Sequence, residues 1–213
     1  MAAAQSRAAF VTLEGGEGSG KTTLAAAIAE FLRDRGQTVC VTREPGGTEL
    51  GRLIQGILEG RQHGSALSAL AELLLFEADR VQHVSEVIRP ALTAGRLVVC
   101  DRFTDSSLAY QGYGRGLDLE LIRRLNDEAT GGLSPDLTLL LDIPPKVGLS
   151  REGDQNDVTG RESVEFHERV RDGFLELARA EPERFVEIDG TLGMEEVTEH
   201  AIAATKERLS VLR

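Results

Sequence analysis

Positive charge is in short supply in this chain. Among 213 residues, 24 Lys and Arg stand against 35 Asp and Glu, a formal charge of −11. A protein that grips nucleic acid or an anionic membrane over its whole surface needs the opposite balance, because phosphates are bound by Lys and Arg. The deficit excludes that class but leaves room for a small basic pocket. Long apolar runs are missing too: none approaches the ~20 residues that cross a bilayer, and residues 1–9 carry no apolar block of the secretory kind. The chain is therefore expected in the cytoplasm. Cysteine is scarce. Cys40 and Cys100 each sit in a short β-branched run without a CxxC partner, the pattern of buried, reduced thiols. Repeats and low-complexity linkers are absent. The rest is an ordinary globular composition, 41% apolar and 28% charged, and the length suits one domain, 1–213, with at most a small mobile insert.

What recurs is an alternation of apolar runs and helical stripes. Residues 10–13, 38–42, 97–101, 137–143 and 185–189 read as short strands, most of them nearly continuously apolar, as strands covered on both faces are. Leu24, Ile28, Phe31 and Leu32 recur at helix spacing, and Gly36 ends that helix. Leu50, Leu53, Ile54, Ile57 and Leu58 mark a second helix, Leu67, Leu70 and Leu74 a third, and Val81, Val84 and Ile88 a fourth, which Pro90 should kink or end. Asp118 is placed to N-cap a helix carrying Leu121, Ile122 and Leu125, stopped by Gly131. Further helices cover about 162–180 and 194–212. Strands separated by helices imply right-handed crossovers and a parallel sheet. The expected fold is α/β: three layers, with a five-stranded parallel sheet and helices on both faces. Residues 152–160 break the alternation with a polar, aperiodic stretch. It reads as a surface loop or as a mobile lid, at about 151–162.

The strongest motif is Gly15-Gly16-Glu17-Gly18-Ser19-Gly20-Lys21-Thr22, which matches G-x-x-x-x-G-K-[ST] between the first strand and the first helix. Glycines let the backbone wrap a phosphate with its N–H groups inward, and the helix N-terminus adds a favourable dipole. Lys21 can reach the β- and γ-phosphates, and Thr22 can ligate Mg²⁺. This is a nucleoside-triphosphate site, a P-loop. No guanine-reading N-K-x-D is present, which favours ATP.

Asp101 and Arg102 end the third strand, where open parallel sheets bind ligands. Asp101 can complete a Mg²⁺ shell, and Arg102 can clamp a transferring phosphoryl group. Arg43, at the end of the second strand before a Pro-Gly-Gly turn, is placed to face the same crevice. Phe76 and Arg80, at i and i+4, share a helix face. Either they stack a base and bind its carbonyl, or they are a core Phe beside a surface Arg. Asp142 ends another strand and reads as structural. Residues 110–116, rich in Tyr and Gly, read as a loop with close backbone approach. These residues alone admit three functions: a nucleoside monophosphate kinase, a kinase for a nucleoside or other small molecule, and a non-catalytic ATP-dependent switch.

Taken together, the segments resemble bacterial thymidylate kinase. Residues 13–23, Thr42-Arg-Glu-Pro-Gly-Gly-Thr48, Leu75-Phe-Glu-Ala-Asp-Arg80, the run 101–112 and Pro135-Asp-Leu-Thr-Leu-Leu-Leu-Asp142 follow the family's order across nearly the whole chain. The resemblance implies the P-loop kinase fold and the reaction ATP + dTMP → ADP + dTDP, Mg²⁺-dependent and by direct in-line transfer. It implies that Glu17 contacts the sugar 3′-hydroxyl, Phe76 stacks on thymine, Arg80 reads its O4 and Arg102 clamps the two phosphates. Ser106 and Ser107 match positions near the base, Tyr110 matches the aromatic that crowds the 2′ position, and Gln111 belongs to the same wall. A homodimer packed through helices is implied as well. Members with Gly after the loop acid, as Gly18 is here, supply catalytic Arg from the lid. Residues 152–160 contain no Lys or Arg, so that role falls to Arg161 or Arg151, with Arg161 favoured.

Overall fold

The computed structural model describes residues 8–60, 67–152 and 162–211. The expected lid residues 153–160, and Arg161, lie outside the described residues. The strands are β1 (Phe10–Gly15), β2 (Val39–Arg43), β3 (Leu97–Asp101), β4 (Leu137–Asp142) and β5 (Phe185–Asp189). They form one parallel sheet in the order β2-β3-β1-β4-β5. The helices are α1 (Lys21–Arg33), α2 (Glu49–Leu58), α3 (Ala69–His83), α4 (Arg89–Thr93), α5 (Thr104–Ser107), α6 (Leu119–Thr130), α7 (Pro145–Glu152), α8 (Val164–Ala180) and α9 (Met194–Val211). The expected three-layer α/β architecture is present.

Both faces of the sheet are covered. On one, Leu24, Ile28 and Leu32 of α1 and Val197 and Ala201 of α9 pack on Val11, Leu13, Val99, Leu139 and Leu141. On the other, Phe166, Val170, Phe174 and Leu177 of α8 meet Leu140 and Phe185, while Val84, Ile88 and Phe103 meet Phe10, Val98 and Cys100. The period-2 alternation of β1 therefore sends Val11 and Leu13 towards α1, and Phe10, Thr12 and Glu14 towards α8 and the β3–α5 turn. Chain reversals follow their caps. Thr48, Ser68, Asp118 and Ser163 accept from first-turn N–H groups, and Gly131 closes α6 in the left-handed conformation at φ 56°.

Three sequence expectations are corrected. The third and fourth helices are one continuous rod: α3 runs through a π-helical turn, Val84–Ile88, into α4. Pro90 lies within this rod, and the wide turn before it accommodates the hydrogen bond that its missing N–H cannot make. The Tyr- and Gly-rich segment is not a loop but a π-helical stretch, Leu108–Gly114. It presses on α8 so closely that a Cβ at Gly114 would lie 2.7 Å from the Phe166 ring. Finally, α3 is inverted relative to its apolar stripe. Glu77, Asp79, Arg80 and His83 are buried with Leu73, while Leu70, Leu74 and Val81 are exposed. Leu50 and Leu53 of α2 are exposed as well.

Candidate active site

β1 delivers the chain into the glycine loop at the carboxyl edge of the sheet. Gly20 N-caps α1 at φ 92°, a conformation strained for any side chain. Lys21 is buried and bends back over the loop, its Nζ donating to Gly15 O (3.1 Å), Gly16 O (2.6 Å) and Ser19 Oγ (3.1 Å). Burial and the neighbouring Arg102 pull its pKa down to about 8, against the opposing pull of Glu17, Asp101 and Glu14. A phosphate entering this cradle restores the charge that burial disfavours. Thr22 Oγ1 donates to Asp101 Oδ2 at 2.5 Å, joining the start of α1 to the end of β3. A hydroxyl and a carboxylate oxygen side by side are hard donors that suit Mg²⁺, an ion that takes one or two protein ligands and fills its shell with water and phosphate. Among the described residues no group of three or more His, Cys, Asp or Glu is placed to cage a metal.

Beside the loop opens a cavity of about 300 Å³. Phe76 and Arg80 of α3, Arg102 after β3, Ser106 and Ser107 of α5, and Tyr110 and Gln111 of the π-helical stretch all line it, and Glu17 of the glycine loop forms part of its wall. Arg102 has φ 69°, and among the described residues it is the one non-glycine at positive φ. Its Nη1 donates to Gly15 O (3.1 Å) and Ser106 Oγ (3.3 Å), its Nη2 lies 3.4 Å from Glu17 Oε1, and its guanidinium lies 5.0 Å from the centre of the Tyr110 ring. The Tyr110 hydroxyl donates to Glu17 Oε2. Burial alone would raise the Glu17 carboxyl, but Arg102, Lys21, Tyr110 and His167 outweigh it and hold the group below the usual carboxylate range. Burial and the adjacent Glu17 push the Tyr110 phenol well up, so it stays a donor.

Arg80 reverses the bland reading of its helix face: it is 1% exposed, while Phe76 is half-buried in the cavity wall. Its Nε donates to Glu44 Oε2 (2.9 Å), Nη1 to Glu77 Oε1 (2.7 Å), Asn126 Oδ1 (2.7 Å) and Ser107 Oγ (3.0 Å), and Nη2 to Phe103 O (3.1 Å). Among the described residues Nη2 makes no other bond, which leaves one N–H for a ligand. Burial would lower this guanidinium, but Glu44 and Glu77 more than reverse that and raise it. Glu44 also meets His83 Nδ1 at 2.9 Å, and Gly46 N–H donates to the buried Asp79 at 3.2 Å, so the Pro-Gly-Gly turn is bolted to α3. Gln111 donates to Glu72 at 2.8 Å.

Two sequence candidates stand elsewhere. Arg43 is exposed at the end of β2, outside the cavity wall, with its Nη2 3.3 Å from Gln55. Arg151, in the last turn of α7, donates to Gly190 O at 2.8 Å beyond the ends of β4 and β5. Asp142 is structural, held by Arg171 through bonds of 2.6 and 2.7 Å. Sequence reasoning passed over Glu14, Glu44, Glu77, Asn126 and His167. The carboxylates lie inside the recognised segments, and Glu14 carries a signal of its own, an acidic residue embedded in a strand otherwise bound for the core.

Comparisons with known proteins supply the family. The thymidylate kinase family model matches residues 13–201. The chain belongs to the thymidylate kinase family. The thymidylate kinase of Synechococcus sp. strain JA-2-3B'a(2-13) is 56% identical over 200 residues, covering 94% of this chain and 95% of that protein. That of Desulfovibrio desulfuricans is 55% identical over 197 residues, 88% and 90% of the two chains. The crystal structure of thymidylate kinase from Ehrlichia chaffeensis superposes with a TM-score of 0.76 at 36% identity, covering 93% of this chain and 98% of that one. The chain is accordingly a kinase of the P-loop α/β class.

Proposed function

We propose that this kinase transfers the γ-phosphoryl group of ATP directly, in line, to the phosphate of dTMP, giving ADP and dTDP. The observation that carries this reading is the place of Glu17: it belongs to the glycine loop and to the cavity wall at once, so donor and acceptor sites share a boundary and no phosphoenzyme is needed. The glycine loop from Gly15 to Thr22 cradles the ATP phosphates, and Lys21 turns from the loop carbonyls to the β- and γ-phosphates. In the cavity Phe76 stacks on thymine, the spare N–H of Arg80 meets O4, and Ser106, Ser107 and Gln111 complete the base wall. Glu17 takes the 3′-hydroxyl, and Tyr110 closes the space a 2′-hydroxyl would need. Arg102, between the loop and the cavity, neutralises charge on both phosphates as the phosphoryl group passes. Thr22 and Asp101 would hold Mg²⁺, which when bound offsets phosphate charge and aligns the chain of phosphates. Arg161 and Arg151 are the cations proposed to reach the transferring group from the lid, at about 151–162 of a single domain spanning 1–213. Arg43 is proposed to approach the dTMP phosphate from the rim.

We also propose a cytoplasmic homodimer. The two unpaired cysteines, Cys40 and Cys100, suit a reducing compartment. Among the described residues no helix is long and apolar enough to cross a membrane. The exposed Leu50, Leu53, Leu70, Leu74 and Val81 on the packed pair α2 and α3 support a helical interface.

The test is ADP release with Mg-ATP across dTMP, AMP, CMP, GMP and thymidine. The expected result is a clear preference for dTMP. Preference for another monophosphate overturns the base assignment, and preference for thymidine overturns the roles given to Arg43 and Arg102.

A further inference from the structure

Arg102 occupies a costly conformation. At φ 69° a residue with a side chain is uncommon, and such outliers persist only where the surroundings hold them. Much of the holding comes from Glu14, a residue given no part in the reaction above. Glu14 faces away from α1, fully buried, one residue before the glycine loop. Its Oε1 accepts from Phe103 N–H at 2.7 Å, the peptide that follows Arg102, and its Oε2 meets Ser106 Oγ at 2.6 Å. The Arg102 N–H itself donates to Leu13 O at 2.9 Å. Two adjacent residues of β1 thus grip both sides of the strained residue. The Ser106 hydroxyl passes the grip on, because Arg102 Nη1 donates to it at 3.3 Å. Glu14 makes no ion pair with the guanidinium, whose carboxylate neighbour is Glu17 at 3.4 Å, and Glu14 is not in the cavity wall.

We propose that Glu14 is the positioning residue for Arg102. By clamping the Phe103 peptide and the Ser106 hydroxyl it sets the left-handed turn that swings the Arg102 guanidinium back over the glycine loop. It acts without touching substrate. The inference rests on the reading of Arg102 as the phosphate clamp, and the experiment separates the two.

The experiment is a double-mutant cycle of Glu14→Ala and Arg102→Ala, with Glu14→Gln as the conservative variant. kcat and both KM values are measured with dTMP and ATP, and melting is followed by circular dichroism. Glu14→Ala should lower kcat by about 100-fold, the scale of a misplacement near 1 Å, with KM for ATP within about twofold. Glu14→Gln keeps a carbonyl acceptor for Phe103 and an amide that can donate to Ser106, so it should recover most of the loss. In the Arg102→Ala background, Glu14→Ala should cost less than about twofold, because coupled residues are not additive. Full multiplication of the two losses overturns the proposal while leaving the clamp intact. Near-normal activity of Arg102→Ala overturns the clamp reading itself. A loss shared equally by kcat and both KM values, tracking the melting temperature, reduces Glu14 to a structural residue and also overturns the proposal. If Glu14→Ala does not fold, Glu14→Asp, whose shorter side chain cannot reach both the Phe103 N–H and the Ser106 hydroxyl, carries the same cycle with the same overturning outcomes.

Discussion

Lys21, Arg80 and Glu14 are buried ionisable side chains held in place by the groups around them, and each yields a different measurable consequence. Lys21 sits among loop carbonyls with its pKa drawn to about 8. Lys21→Ala should lower phosphoryl transfer by orders of magnitude with the far-ultraviolet dichroism unchanged; near-normal turnover would refute its role. Arg80 is bound to two buried carboxylates. Arg80→Ala should raise KM for dTMP far more than KM for ATP. It should also cost ~3–5 kcal/mol in urea unfolding, because Glu44 and Glu77 are left without their partner. Equal losses for both substrates would make it purely structural. The Glu14 carboxyl is pushed up to about 8, chiefly by burial and then by Asp105. Between about pH 4.5 and 8 the folded form keeps a proton that the unfolded chain releases, so this group's contribution to stability falls as pH rises through that window. Unfolding free energies of the wild type and Glu14→Gln, compared from pH 5 to 8.5, should show a shallower decline in the variant. A parallel pair of curves would contradict the raised value.

At the scale of elements, the glycine loop depends on a backbone contact far away in sequence. A Cβ on Gly18 would lie 2.1 Å from Gly148 O, and a Cβ on Gly148 would lie 2.2 Å from Glu17 O. The loop and α7 therefore touch backbone to backbone. Gly148→Ala should push the loop away and raise KM for ATP about tenfold, equivalent to ~1.4 kcal/mol, with a stability loss of ~1–3 kcal/mol from overpacking. Calorimetric titration with an unreactive ATP analogue checks it, and an unchanged affinity would refute it. The elements also show where sequence patterns mislead. Periodicity located α3, yet its apolar stripe faces outward, because Glu77, Asp79, Arg80 and His83 point inward, where Arg80 reaches the cavity and Asp79 and His83 hold the turn after β2. A pattern reports that one face differs from the other, and it does not say which face the fold buries. The π-helical stretch Leu108–Gly114 reads as a loop in the sequence for a related reason. Its Gly and Tyr residues match a turn locally, and their packing on α8 overrides that preference.

For the whole molecule, the outward apolar residues of α2 and α3 are the clearest unspent feature. Leu53 is 55% exposed and Leu74 48%. Light scattering should report a dimer for the wild type and a monomer for the double variant Leu53→Glu and Leu74→Glu; a monomeric wild type would remove the homodimer from the proposed function. The net charge of −11 fits the architecture at this scale. One crevice gathers Lys21 among loop carbonyls, Arg80 beside Glu44 and Glu77, and Arg102 beside Glu17.

The sequence by itself determined the sheet, the glycine loop and the nucleotide chemistry, because these rest on local rules: runs of β-branched residues, glycine where a backbone must turn sharply, a lysine at fixed spacing. The resemblance to thymidylate kinase added a set of residues that the fold does bring together, since Phe76, Arg80, Arg102, Ser106, Ser107, Tyr110 and Gln111 share one cavity, while Arg43 stands outside it. Only the tertiary structure decided how those side chains are held. Glu14 reaches the Phe103 peptide, Glu44 reaches Arg80, and Gly148 meets the loop across gaps of 89, 36 and 131 residues in the chain. Propensity and spacing act over a few residues, whereas a buried charge must be neutralised by whatever the folded sheet brings beside it.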